Sequence, residues 1–76
     1  MEFNNLKFNN NDLSFDIEKI KNFDPPITIS KSFEDLFEYP HGIDVEDTSY
    51  WYFNTKERDE DFEMLKKMFY KFNFVE

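Results

Sequence analysis

This 76-residue chain reads as an α+β fold, a short antiparallel sheet with a long C-terminal amphipathic helix, and three stretches predict it. Tyr50-Trp51-Tyr52-Phe53 sends rings to alternate sides of an extended backbone, the strongest strand pattern present. Ile27-Thr28-Ile29-Ser30 is β-branched and alternates in the same way. Phe62, Leu65, Met68, Phe69 and Phe72 recur at i, i+3, i+6, i+7 and i+10, which is one face of a helix.

In chain order, Phe3, Leu6 and Phe8 suggest a short strand, closed by the turn-forming run Asn9-Asn10-Asn11-Asp12. Leu13, Phe15 and Ile17 alternate like a strand, whereas Leu13, Ile17 and Ile20 follow helical spacing. Ser14 can cap a helix and Pro25-Pro26 must end one, so a helix is expected over 14–23. After the strand at Ile27–Ser30, Ser32 and Asp35 resemble a capping box ahead of Phe33, Leu36 and Phe37, which predicts a two-turn helix over 33–39. Pro40-His41-Gly42 reads as a turn, and Ile43 to Ser49 as an acidic connection around Val45. The aromatic strand follows. Thr55 is then expected to cap a helix over 56–72, with acids in its first turns and lysines in its last to suit the helix dipole.

One domain of this size only just offsets its conformational entropy. With no cysteine, neither a disulfide nor a thiolate zinc site can brace it, and the core must come from eleven Phe, four Tyr and one Trp. That aromatic surface exceeds what a small core covers. A homodimer is therefore expected, with Tyr50, Trp51, Tyr52 or the Phe69 and Phe72 end of the last helix near the contact. No apolar run approaches the roughly 20 residues of a membrane span and no signal-like start is present, so a soluble, cytoplasmic chain is expected.

Charge is concentrated. Eleven carboxylates (Glu34, Asp35, Glu38, Asp44, Glu46, Asp47, Glu57, Asp59, Glu60, Asp61 and Glu63) against Lys56 and Arg58 put −9 into residues 34–63, out of a formal −8 for the whole chain. Such a block repels phosphates and anionic membranes and attracts basic surfaces, which argues against direct nucleic-acid binding and for a cationic partner. Catalysis is poorly supported: His41 is the sole imidazole, and with no thiol the usual nucleophile, base and orienter set cannot be assembled. The acids lack the spaced ligands and central glycine of an EF-hand, so no metal or cofactor is expected.

Two readings of the block stand side by side. It is a solvated face, as in many small acidic domains, or it imitates nucleic acid. Carboxylates three and four residues apart on a helix lie roughly 5–6 Å from one another at Cβ, near the spacing of phosphates along a DNA strand. Glu57, Glu60 and Asp61 have that spacing, as do Asp59 and Glu63, and Asp44, Glu46 and Asp47 offer a second edge. The sorting of charge favours mimicry.

A short, cysteine-free, strongly acidic and aromatic-rich chain of this kind resembles the bacteriophage-encoded inhibitors that imitate DNA, including those of the bacterial DNA polymerase sliding clamp. Phe33-Glu34-Asp35-Leu36-Phe37 is similar to the end of clamp-binding peptides but lacks their glutamine, and Asn10-Asn11-Asp12-Leu13-Ser14-Phe15 is similar to the longer form with Asn10 at the glutamine position. The resemblance implies a non-enzymatic inhibitor of host DNA replication acting in the bacterial cytoplasm on a basic DNA-binding protein, the clamp first among targets. An anti-CRISPR or other nuclease inhibitor, an immunity protein and an acidic interaction module share the same features.

Overall fold

A computed structural model of the protein describes residues 4, 17–35, 38–46 and 48–76. Its elements are α1 (Ile17–Lys21), β1 (Thr28–Phe33), β2 (His41–Val45), β3 (Thr48–Tyr52), α2 (Thr55–Met68) and β4 (Asn73–Val75). The expected first strand and the start of the expected 14–23 helix lie outside the described residues.

The fold is α+β, but the sheet is mixed rather than purely antiparallel. Its order is β3-β2-β1-β4, with β2 antiparallel to both β1 and β3, and β4 parallel to β1. The parallel pair follows from α2. The helix carries the chain back along the sheet from the end of β3, so the next strand starts at the same end as β1 and runs alongside it.

Three expectations are corrected. The two-turn helix over 33–39 does not form among the described residues: Phe33 ends β1, the Ser32 hydroxyl donates to Asp44 Oδ1 at 3.2 Å instead of capping, and Glu34 N–H donates to Pro40 O at 2.8 Å. Two isolated helical turns are marginal in water, and pairing β1 with β2 satisfies the same backbone groups better. His41 and Gly42 are the first residues of β2 rather than a turn, and the acidic connection resolves into the rest of β2, a tight hairpin and β3. Val45 pairs with Thr48, and Glu46 takes the positive φ (54°) that tight hairpin turns require.

The last helix is 14 residues long and is not the C-terminal element. Asn54, rather than Thr55, is its N-cap, with Oδ1 accepting from Glu57 N–H at 2.8 Å. It ends at Met68 because Phe69 leaves helical geometry (φ −124°, ψ 52°) and Phe72 N–H turns back to Phe69 O. The Phe69 and Phe72 rings stack at 5.3 Å, which lets the chain reverse into β4.

One sheet face makes the core. Ile29, Ile43, Val45, Tyr50 and Tyr52 are buried there with Phe62, Leu65 and Phe69 of α2 and Ile20 of α1. The other face carries Trp51, Ser32, Asp44 and Ser49. Trp51 rests directly on Gly42: a Cβ at that position would lie 2.5 Å from Ser32 Oγ and 2.9 Å from the indole, so only glycine admits the ring this close.

Candidate functional site

The acids expected to form one surface fall into four environments. Asp61 is fully buried. Its Oδ1 accepts from Asn4 N–H at 2.8 Å and its Oδ2 from the Tyr52 hydroxyl at 2.7 Å, while Asn4 Nδ2 donates to Glu57 O and Glu60 Oε1, both at 3.0 Å. Asp61 is thus an internal strut tying β3, α2 and Asn4 together, and it leaves the partner-facing set. Burial, and then the adjacent Asp61 charge, push the Tyr52 phenol far above its ordinary value, so it stays protonated. Helical phase could have revealed this, since Leu65 and Phe69 follow Asp61 by four and eight residues on one face.

Asp59 is neutralised locally. Arg58 Nε reaches its Oδ1 at 2.9 Å and Lys31 Nζ at 3.1 Å. Partial burial would raise its carboxyl, but hydrogen bonds and charge from Lys31 and Arg58 outweigh that and hold it below the usual carboxylate range. Lys31 also lies 4.8 Å above the Phe62 ring and 3.4 Å from Glu76, and Arg58 Nη1 donates to Ser32 O at 3.4 Å.

Asp44 and Glu46 do not join the helix acids in a two-edged row. Asp44 lies on the sheet face away from α2, where it accepts from Ser32 and from Ser49, the latter at 2.7 Å. Glu46 occupies the β2–β3 turn, a strand's length from the first turn of α2. Asp47 lies outside the described residues. Glu63 is exposed and pairs with Lys66 at 3.7 Å.

The remaining acids do converge. Phe33 pairs with His41 and His41 with Tyr52, so the end of β1, the start of β2 and the end of β3 meet at one end of the sheet. Glu34 and Asp35 just after β1, Glu38 just before β2 and Glu57 in the first turn of α2 belong to that end, and none of the four pairs with a cation among the described residues. Glu60 lies in the next turn of α2, where its Oε1 accepts from Asn4 Nδ2. Three aromatic rings share that end: Phe33 is 62% exposed, Phe53 56% and Tyr39 38%. Tyr39 and Phe53 meet edge to face at 5.9 Å, and Phe33 lies 5.3 Å from His41. These three rings were not anticipated as site residues, although Phe53, next to inward-facing Tyr52, is outward by alternation.

Of the expected dimer contacts, Tyr50, Tyr52 and Phe69 are buried within a single chain. Trp51 and Phe72 are half-buried, on the outer sheet face and at the far end of α2 respectively. Asp12, Leu13, Ser14, Phe15, Leu36 and Phe37, which carry the resemblance to clamp-binding peptides, lie outside the described residues. Among the described residues no three His, Asp or Glu side chains are grouped as metal ligands, and no helix is long and apolar enough to cross a membrane.

Comparison with protein-family models, with curated proteins and with solved structures finds no match in any of the three.

Proposed function

We propose that the protein is a non-enzymatic inhibitor whose acidic, aromatic end occupies the cationic surface of a nucleic-acid-binding protein, with the bacterial sliding clamp as the first target. The supporting observation is the company the carboxylates keep. A face that is acidic only for solubility has no reason to expose Phe33, Tyr39 and Phe53 among its charges, whereas aromatic anchors inside a charged rim are the makeup of a binding surface. Charge would steer and orient the partner, and the rings would supply affinity once water is excluded. Lys31 and Arg58 pair with Asp59, and Lys56 beside Glu57 is the other cation in the first turns of α2, so Glu34, Asp35, Glu38 and Glu57 keep an excess of negative charge.

The test is competition. The protein is titrated into a labelled DNA duplex bound by a purified clamp with its loader, and in parallel into a duplex bound by a basic nuclease. Displacement that weakens with salt supports the reading. Joint Glu34→Lys, Glu38→Lys and Glu57→Lys replacement should weaken it at least tenfold, and Phe53→Ala should weaken it with little change in salt dependence. Displacement from the nuclease alone would replace the clamp as target. Displacement from neither, or insensitivity to both sets of changes, removes the reading.

A further inference from the structure

Opposite the acidic end, where α2 finishes and the chain turns into β4, a cleft of about 270 Å³ is lined by Phe23, Pro25, Met68, Tyr70 and Phe72, with Lys21 and Lys71 beside them. Its volume falls below the roughly 300–1,000 Å³ of small-molecule sites, so it takes one or two side chains rather than a cofactor. Met68 is 42% exposed and Tyr70 76%, large for apolar and aromatic groups. Among the described residues no carboxylate lines the cleft. Lys71 lies 6.0 Å from the Tyr70 ring and pairs with no acid among the described residues, and Lys21 has only the exposed, exchangeable Glu18 at 3.6 Å. The cleft therefore selects an apolar or aromatic anchor followed closely by negative charge.

The other end of the same molecule carries that ligand. Phe33, the most exposed ring there, is followed directly by Glu34 and Asp35. We propose that the lysine-flanked cleft receives Phe33 of a second copy, with its Glu34 and Asp35 against Lys21 and Lys71, so that the protein assembles head to tail. A single chain cannot make this contact with itself. Phe23 and Pro25 precede the start of β1 and Phe33 ends it, and six residues of strand separate the two by about 20 Å. Because the cleft and the acidic end are different surfaces, the contact is heterologous, and each added copy again offers one of each. The net charge of −8 does not forbid this, since at about 0.1 M salt charges more than roughly 10 Å apart are largely screened while those in contact are not. The inference needs no cationic target and stands or falls apart from the function proposed above.

The test is complementation between two exposed-surface variants, each checked for native circular dichroism. Sedimentation equilibrium of the unmodified protein should show a mass rising with concentration beyond two chains, more weakly at high salt. Phe33→Ala keeps the cleft and loses the anchor; the double variant Tyr70→Ala, Lys71→Glu keeps the anchor and loses the cleft. Each alone should associate at least tenfold more weakly than the unmodified chain, and an equimolar mixture should recover a species of two chains and no larger. A native protein that stays at 9.4 kDa up to millimolar concentration overturns the proposal, as does either variant associating like the original. A native assembly that stops at two chains, with no rescue on mixing, overturns it too, because that is the behaviour of a symmetric dimer.

Discussion

Glu60, Asp61 and Glu63 share one chemistry and differ in role because the helix turns them toward different media. Asp61 is the acid on which structure depends. Asp61→Ala strands two buried donors, Asn4 N–H and the Tyr52 hydroxyl, each costing about 1–3 kcal/mol. Urea unfolding should show a loss of about 3 kcal/mol for Asp61→Ala, against less than about 0.5 kcal/mol for the exposed Glu63→Ala. Tyr52 gives the same strut a pH signature. Its folded-state pKa is raised, so its linkage contribution is complete below the unfolded tyrosine value of about 10 and is lost as pH climbs above it, at about 1.4 kcal/mol per pH unit. Tyr52→Phe should be less stable at neutral pH and show a flatter decline above pH 10. Asp59 acts in the opposite window. Its pKa is lowered, so its contribution is present above about pH 4 and fades as pH falls through the folded value, and solvent screening keeps it small at a side chain 46% exposed.

At the scale of elements, local and tertiary signals agree in some places and conflict in others. The strands expected at 27–30 and 50–53, which form as Thr28–Phe33 and Thr48–Tyr52, and the middle of α2 were legible because alternation or a 3.6-residue stripe coincides with burial. The β2 strand was not, although Ile43-Asp44-Val45 alternates, because its hairpin places Glu46 rather than a glycine at positive φ and its Asp44 accepts from serines of the two neighbouring strands. The end of α2 was overextended because Phe69 and Phe72 continue the helical spacing, while their ring stacking and the pairing of β4 with β1 appear only in three dimensions. The cap is testable by itself. Asn54→Ala should cost about 1 kcal/mol in thermal or chemical unfolding, whereas Thr55→Ala should cost a few tenths, since the Asn54 side chain accepts the Glu57 N–H.

For the whole molecule, charge and stability pull against each other. A chain at −8 repels itself, so thermal stability should rise as sodium chloride goes from about 0.01 to 0.5 M, while any binding through Glu34, Glu38 and Glu57 should weaken over the same range. A melting series and a binding series recorded together check these opposite signs. The sequence by itself determined that the fold is α+β, that the chain carries one dense acidic block and that it has no cysteine, because composition and short-range periodicity are properties of the chain alone; the described core, expected to be aromatic, draws as much on Ile20, Ile27, Ile29, Ile43, Val45 and Leu65 as on rings. Only the tertiary structure decided which acids face water. Asp61 turned inward to Tyr52, Asp59 was held by Lys31 and Arg58, Asp44 faced the far side of the sheet, Glu60 accepted from Asn4, and Glu34, Asp35, Glu38 and Glu57 came to the sheet end that exposes Phe33, Tyr39 and Phe53. The physical reason is that a carboxylate's role depends on the partners and solvent around it, and here those partners come from as many as 57 positions away in the chain.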